Sequence, residues 1–124
     1  MSVAAITQQR LTWVNIENPT PEDVAYLRKH YPFHPLDLED VLSQIERPKI
    51  DEYDDYLFIV MHFPVYDEER QVTRSSEVDF FIGAGFLITI HDGRLKTLNT
   101  LFAACQNDGV ARGKQMGRGA GRLL

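Results

Sequence analysis

Hydrophobic and polar positions follow two periods along this chain, one typical of strands and one typical of helices. Strands are predicted at Leu11–Ile16, Lys49–Glu52, Tyr56–Val65, Glu77–Ile82 and Phe86–His91. Tyr56–Val65 is apolar throughout, which predicts a central strand that is covered on both faces. The last three strands are predicted to form an antiparallel meander, with tight turns between them.

Three helices are predicted between and after these strands. The first follows Thr20, which can cap it, with Pro21 at its first position. Its apolar face comprises Val24, Leu27 and Tyr31. The second begins at His34-Pro35, and its apolar stripe comprises Leu38, Val41, Leu42 and Ile45. The third is predicted over Arg94–Gln106 with Asp92 as its cap, and its apolar positions are Leu95, Leu98, Leu101, Phe102 and Cys105.

Length and composition indicate one globular domain. The chain has 124 residues, 44% of them hydrophobic and 25% charged, which is ordinary for a folded domain. No stretch approaches the roughly 20 apolar residues that a membrane-spanning helix needs. The N-terminus lacks the features of a secretory signal. The single cysteine, Cys105, excludes an internal disulfide and fits a reducing cytosol.

Charge is distributed unevenly along the chain. The net charge is −5, but residues 109–124 contain four basic residues, five glycines and no acidic residue. The preceding residues 1–108 carry nine basic and eighteen acidic side chains, a net charge of −9. An acidic body disfavours nucleic acid and suits cations. We expect 1–108 to form the domain and 109–124 to be a flexible connector, since a basic tail without aromatic residues is a weak RNA- or lipid-binding signal.

Several motifs that could indicate chemistry have simpler explanations. His30 and His34 are four residues apart, but the intervening proline prevents them from sharing a helix face, so capping and packing roles are favoured over a metal site. Gly83-Ala84-Gly85 connects two strands and precedes no helix, which indicates a hairpin turn instead of a dinucleotide-binding loop. No catalytic constellation is found, and we predict no enzyme activity.

An acidic cluster is more informative. Eight carboxylates lie between positions 37 and 55, namely Asp37, Glu39, Asp40, Glu46, Asp51, Glu52, Asp54 and Asp55. Most are expected to form a solvated face. Helical geometry directs Asp40 away from the apolar stripe, with Asp37 and Glu39 on its flanks. One outward carboxylate is a poor Mg²⁺ site, and it becomes useful when a second chain supplies another carboxylate opposite it.

The segment HPLDLEDVLSQIERPKIDEYDDYLFIVMHF resembles the N-terminal domain of CorA-type magnesium transporters. The shared pattern is His-Pro-x-x-x-Glu-Asp-Val-Leu followed by Arg-Pro-Lys-Ile-x-x-Tyr-x-x-Tyr-Leu-Phe-Ile-Val. The flanking segments TWVNI and SEVDFFIGAGFLITIHD also agree. The resemblance spans nearly all of residues 11–106.

This resemblance implies an α/β (α+β) fold, a three-layer α/β/α sandwich with a mixed, largely antiparallel sheet. It also implies a domain at the cytoplasmic face of the cell membrane, which continues into a stalk helix and two membrane helices in a homopentamer. The present chain lacks these parts and is expected to be a fragment. We expect the fragment to be a monomer or a weak dimer that binds no nucleic acid.

By the same resemblance, regulatory cations bind between subunits, where Asp40, next to Glu39, faces a carboxylate of a neighbouring stalk. The expected ion is Mg²⁺, bound weakly, with Co²⁺ or Zn²⁺ as alternatives because a sister branch of the family moves zinc. The competing hypotheses are a domain of that zinc branch, a metal-dependent hydrolase that uses the acidic cluster, and a nucleic-acid-binding module that depends on the tail.

Overall fold

The computed structural model describes residues 3–8, 10–43 and 47–107. In chain order, the elements are β1 (Val3–Gln8), β2 (Leu11–Glu17), α1 (Pro21–His30), α2 (Pro35–Ser43), β3 (Lys49–Glu52), β4 (Tyr56–Asp67), β5 (Val72–Gly83), β6 (Phe86–His91) and α3 (Lys96–Asn107). The strands form one sheet in the order β1-β2-β6-β5-β4-β3. Only the β2–β6 pair is parallel among these strands, which confirms the mixed, largely antiparallel sheet.

Helices cover both faces of the sheet, as predicted. In β2, Val14 and Ile16 belong to the hydrophobic cluster that contains the apolar side chains of α1 and α2. Leu11 and Trp13 belong to the opposite cluster, with Leu98, Phe102 and Cys105 of α3. Successive strand side chains point to opposite faces, so a strand that is apolar in both registers must be covered twice. This confirms the three-layer α/β/α sandwich.

The start of α1 agrees with its sequence signals. The Asp23 backbone N–H donates to the Thr20 hydroxyl, and the Asp23 carboxylate accepts from the Thr20 backbone N–H at 2.9 Å. This reciprocal arrangement satisfies backbone donors that would otherwise lack partners at the helix start. Thr20 is therefore confirmed as the cap, with Pro21 at the first position of the helix.

The start of α3 differs from the prediction. The helix begins at Lys96, so Asp92 does not cap it. The Asp92 carboxylate instead accepts from the Arg94 backbone N–H at 3.0 Å and from the Ser76 hydroxyl at 2.8 Å. Asp92 thereby closes the turn between β6 and α3, in which Gly93 adopts φ +85°.

Two strands also differ. β1 was not predicted, and β5 begins at Val72, five residues before Glu77. Short or polar strand segments have weak periodicity, but they are stabilised by pairing with neighbours that the pattern cannot identify. β1 pairs with all of Leu11–Ile16, and the first half of β5 pairs with the second half of β4.

The prediction that Tyr56–Val65 is covered on both faces holds for only part of β4. Its side chains on the α1/α2 face are buried as far as Val60, whereas on the α3 face Met61 is 41% exposed. α3 packs on β2, β6 and β5 and leaves an apolar groove of about 360 Å³ beside β4. β4 lies next to the edge strand β3, away from the centre of the sheet.

A chain of polar side chains joins the parallel strands β2 and β6. Trp13 Nε1 donates to Thr89 Oγ1 at 3.0 Å, and Thr89 Oγ1 donates to Asn15 Oδ1 at 2.7 Å. His91 Nε2 lies 2.9 Å from the same Asn15 oxygen, and His91 Nδ1 accepts from the Gly93 N–H at 3.0 Å. These bonds satisfy polar groups inside an otherwise apolar layer, which would be costly to leave unpaired.

The apolar stripe in the described part of α2 is narrower than predicted. Leu38 and Val41 are buried, whereas Leu42 is 40% exposed. Ile45, Glu46 and the proposed connector 109–124 lie outside the described residues.

Candidate functional site

Helix α2 and strand β3 form the walls of a polar cleft, called here the α2–β3 cleft. Its volume is about 600 Å³, and it is lined by His34, Leu36, Asp37, Asp40, Lys49, Ile50, Asp51, Glu52 and Tyr53. The cleft brings together part of the acidic cluster from two elements. Asp37 and Asp40 are three residues apart on α2 and therefore face the same side of the helix.

The start of α2 is stabilised by local hydrogen bonds. The backbone N–H groups of Asp37 and Leu38 donate to the His34 carbonyl, and the Leu36 N–H donates to His34 Nδ1 at 3.1 Å. The His34 ring also stacks on Tyr53, and the His30 ring lies against Tyr26. Both histidines therefore have the capping and packing roles that the sequence favoured.

Asp40 lies between the core and solvent. Its side chain is 21% exposed, and its Oδ2 atom accepts from Lys49 Nζ at 2.6 Å. The sequence predicted an outward Asp40 from the geometry of α2 alone. The structure leaves Asp40 partly exposed and also pairs it within its own domain, because β3 runs alongside α2 and places Lys49 opposite it.

Lys49 bridges two carboxylates in the α2–β3 cleft. Its ammonium lies 2.6 Å from Asp40 and 3.2 Å from Asp51 Oδ2. The hydrogen bond to Asp40 is the main cause that raises the pKa of Lys49, with a smaller contribution from Asp51. The Lys49 ammonium also lies 5.5 Å from the centre of the Phe58 ring, close enough for a cation–π contact.

Asp37 is buried, contrary to its predicted place on a solvated flank. Only 1% of the residue is exposed, and its carboxylate accepts from the Tyr53 hydroxyl at 3.2 Å and from the Tyr56 hydroxyl at 2.9 Å. Burial raises the pKa of Asp37, and the two tyrosine hydrogen bonds offset part of this effect. Asp37 therefore fixes α2 to the β3–β4 region, a structural role that sequence analysis missed.

Tyr56 connects the same elements. Its hydroxyl donates to Asp37 and accepts from the His34 backbone N–H at 2.8 Å. Burial is the first cause that raises the pKa of Tyr56. The repeated tyrosines at positions 53 and 56 were the available sequence signal, since a buried carboxylate needs hydroxyl or N–H donors.

The α2–β3 cleft is not a complete metal site by itself. Glu39 is exposed beside Asp40, but its side chain does not line the cleft. Within the described residues, no group of three His, Cys, Asp or Glu side chains is placed to hold a metal ion.

Among helices in the described part of the chain, none is long and apolar enough to span a membrane.

Comparison with known proteins identifies the relatives of this chain. The family model described as CorA-like Mg²⁺ transporter protein matches residues 8–117. The "Putative metal ion transporter YfjQ" of Bacillus subtilis is 38% identical over 79 residues, and the cobalt/magnesium transport protein CorA of Thermotoga maritima is 33% identical over 72 residues. These alignments cover 64% and 57% of the present chain but only 24% and 20% of the two relatives.

A solved structure supports the same relationship. The complete structure of the CorA magnesium transporter from Methanocaldococcus jannaschii matches with a TM-score of 0.70 and 26% sequence identity. The match covers 96% of the present chain and 37% of that transporter. These three matches cover between 20% and 37% of the relatives' own lengths.

Proposed function

Because this chain belongs to the CorA-like Mg²⁺ transporter family, we propose that it is the cytoplasmic cation-sensing domain of a magnesium transporter. The observation that best supports this proposal is the placement of Asp40 at the solvent edge of an acidic cleft on α2. The family is one of transporters, and the hydrolase hypothesis is therefore set aside.

The donor set of the α2–β3 cleft suits a hard divalent cation. Asp40 and Asp51 offer carboxylate oxygens, which are the ligands that Mg²⁺ prefers, and their partial exposure leaves room for the waters that it retains. A bound ion would supply positive charge between carboxylates of neighbouring subunits. Helix α2 presents Asp40 and the exposed Glu39 to such a neighbour, while the buried Asp37 fixes the helix.

The proposed control of transport follows from charge. At high internal Mg²⁺, Asp40 and a carboxylate of the adjacent subunit are held together, and the closed ring is favoured. At low Mg²⁺, repulsion between the two groups loosens the ring. Five equivalent sites need supply only about 1–3 kcal/mol each, because they act on one shared equilibrium.

The wider assembly is part of the same proposal. We place 1–108 as the domain and 109–124 as the connector towards a stalk and membrane helices in a homopentamer. The aligned segments span 24% and 20% of the two curated relatives. We propose that the carboxylate that faces Asp40 belongs to the stalk of a neighbouring subunit.

The proposal is tested by changing Asp40→Ala in the full-length transporter. Because one of two facing carboxylates is lost, the internal Mg²⁺ concentration for half-inhibition of the current should rise about fivefold or more. The measurement is the inside-out patch current against Mg²⁺. Asp54→Ala, which removes an exposed carboxylate outside the α2–β3 cleft, serves as the matched control and should leave inhibition unchanged.

Unchanged inhibition in Asp40→Ala would remove the sensing role of this residue. The transported ion is tested by measuring the current of the unmodified transporter with Mg²⁺, Co²⁺ or Zn²⁺ as the permeating ion. If the transporter carried Zn²⁺ in preference to Mg²⁺, the zinc branch would replace the magnesium proposal.

A further inference from the structure

The Lys49 side chain carries a positive charge and contacts Asp40, the carboxylate that we assign to cation sensing. We propose that Lys49 occupies the position of the divalent cation at Asp40 in the ion-free domain, so that ion binding must displace its ammonium group. This inference rests on the proposed function and adds a residue that sets the affinity of the site.

The geometry resembles that of a bound ion. The Lys49 ammonium contacts carboxylate oxygens from two elements, Asp40 of α2 at 2.6 Å and Asp51 of β3 at 3.2 Å. A divalent cation at this place would use the same oxygens, because oxygen ligands from separate elements are what it requires. Ammonium and metal ion therefore compete for one set of donors.

The side chain of Lys49 is held in place but can still move. Its ammonium lies 5.5 Å from the centre of the buried Phe58 ring, which orients it towards Asp40. The side chains of Lys49 and Asp40 are 32% and 21% exposed, so water and a hydrated ion can reach both groups. The flexible stem of lysine allows the ammonium to leave for solvent without moving β3.

The charge balance of the α2–β3 cleft explains why such a group is useful. Among the described residues that line this cleft, Lys49 alone carries an ammonium or guanidinium group, against the carboxylates of Asp37, Asp40, Asp51 and Glu52. Without it, Asp40 and Asp51 would repel each other and attract divalent ions at lower concentrations. Lys49 thus reduces the repulsion between Asp40 and Asp51 in the ion-free state. It also raises the concentration of divalent cation that is needed to fill the site.

The test uses Mn²⁺ as the probe and the 124-residue chain as the protein. Lys49→Met and Lys49→Gln should each bind Mn²⁺ about fivefold more tightly than the unmodified chain, as expected for a partly exposed ion pair of up to about 1 kcal/mol. Free Mn²⁺ measured by electron paramagnetic resonance gives the affinity. Two neutral variants are used because either replacement could disturb the packing on Phe58.

Three control variants identify the cause of the gain. Lys49→Arg keeps the positive charge and should bind as weakly as the unmodified chain. Lys96→Met makes the same charge change on α3, on the opposite face of the sheet, and should not alter the affinity. Adding Asp40→Asn to Lys49→Met should remove the gain in Mn²⁺ affinity. In NMR spectra, the broadening that bound Mn²⁺ causes in amide signals near residue 40 should disappear as well.

Equal Mn²⁺ affinity in Lys49→Met, Lys49→Gln and the unmodified chain would overturn the inference. A gain that survives Asp40→Asn would overturn it too, because the extra ion would then bind elsewhere. Neither result bears on inhibition of the full-length transporter by Asp40→Ala, so failure of the displacement role and failure of the sensing role remain distinguishable.

Discussion

Asp37 is the most deeply buried ionisable residue among the described residues that line the α2–β3 cleft. The residue is 1% exposed, its carboxylate accepts hydrogen bonds from two tyrosine hydroxyls, and no described lysine or arginine forms a salt bridge with it. Neutral donors stabilise a buried carboxylate only in part, because burial removes more hydration than two hydrogen bonds restore. Ionisation of Asp37 is therefore less favourable in the folded protein than in the unfolded chain.

This cost gives a pH dependence of stability. The pKa of Asp37 is raised by burial above its usual value of 3.8, so the folded state retains this proton to higher pH than the unfolded state does. The stability that comes from retaining this proton is fully present below the pKa of the unfolded state. It is lost as pH rises through the pKa of the folded state. In urea unfolding followed by Trp13 fluorescence, Asp37→Asn should gain stability relative to the unmodified chain as pH rises above about 4, the unfolded-state pKa.

Asp54→Asn is the matched control for that experiment, because Asp54 is an exposed residue in the bend before β4. Its stability difference from the unmodified chain should not vary with pH in this way. A constant difference between Asp37→Asn and the unmodified chain across the range would show that Asp37 titrates alike in both states, against our expectation.

At the scale of elements, the turn between β6 and α3 depends on one glycine. Gly93 has φ +85°, its N–H donates to His91, and its carbonyl accepts from the Asn99 side chain at 2.8 Å. A side chain at this position would adopt a left-handed conformation and would overlap the Glu17 carboxylate. The turn therefore joins the end of β6, the end of β2 and the first turns of α3.

We expect Gly93→Ala to lower the free energy of unfolding by about 1–2 kcal/mol. Most of this loss comes from the backbone, because Glu17 is exposed and its side chain can move aside. Adding Glu17→Ala to Gly93→Ala should then restore only a small part of the loss in urea unfolding, with Glu17→Ala alone as the reference. Full recovery in the double variant would instead assign the cost to the side-chain overlap.

At the scale of the whole molecule, charge opposes self-association of the isolated chain. The net charge is −5, and residues 1–108 alone carry −9, so copies repel each other at low ionic strength. In the homopentamer that we propose, most contacts between subunits are expected in the stalk and membrane helices. The isolated chain is thus expected to provide the proposed cation-sensing surface without the assembly that would respond to the bound ion.

Sedimentation velocity should accordingly show a monomer or a weak dimer, with or without millimolar Mg²⁺. The expected Mg²⁺ affinity is weak because Asp40 and Asp51 supply few fixed ligands and share them with Lys49. A stable pentamer of the 124-residue chain would contradict this prediction, and saturable micromolar Mg²⁺ binding would contradict the expected weakness of the site.

The sequence by itself determined several elements of this domain and, through its resemblance to a known family, the layered fold. The hydrophobic pattern located the strands Leu11–Ile16 and Phe86–His91, and the signals at Thr20 and Pro21 placed the start of α1 correctly. These features depend on neighbours within a few residues along the chain, which periodicity and capping chemistry record directly. The quoted motifs around Glu39 and Asp40 likewise identified the family.

Only the tertiary structure decided the environment of each carboxylate in the acidic cluster. Helical geometry gave the direction of Asp40 from α2, but Lys49 reaches it from β3, nine positions later in the chain. Asp37 is buried because Tyr53 and Tyr56 converge on it across a sheet-to-helix contact. Charge pairing and burial depend on which elements meet in space, and a one-dimensional pattern does not contain that information.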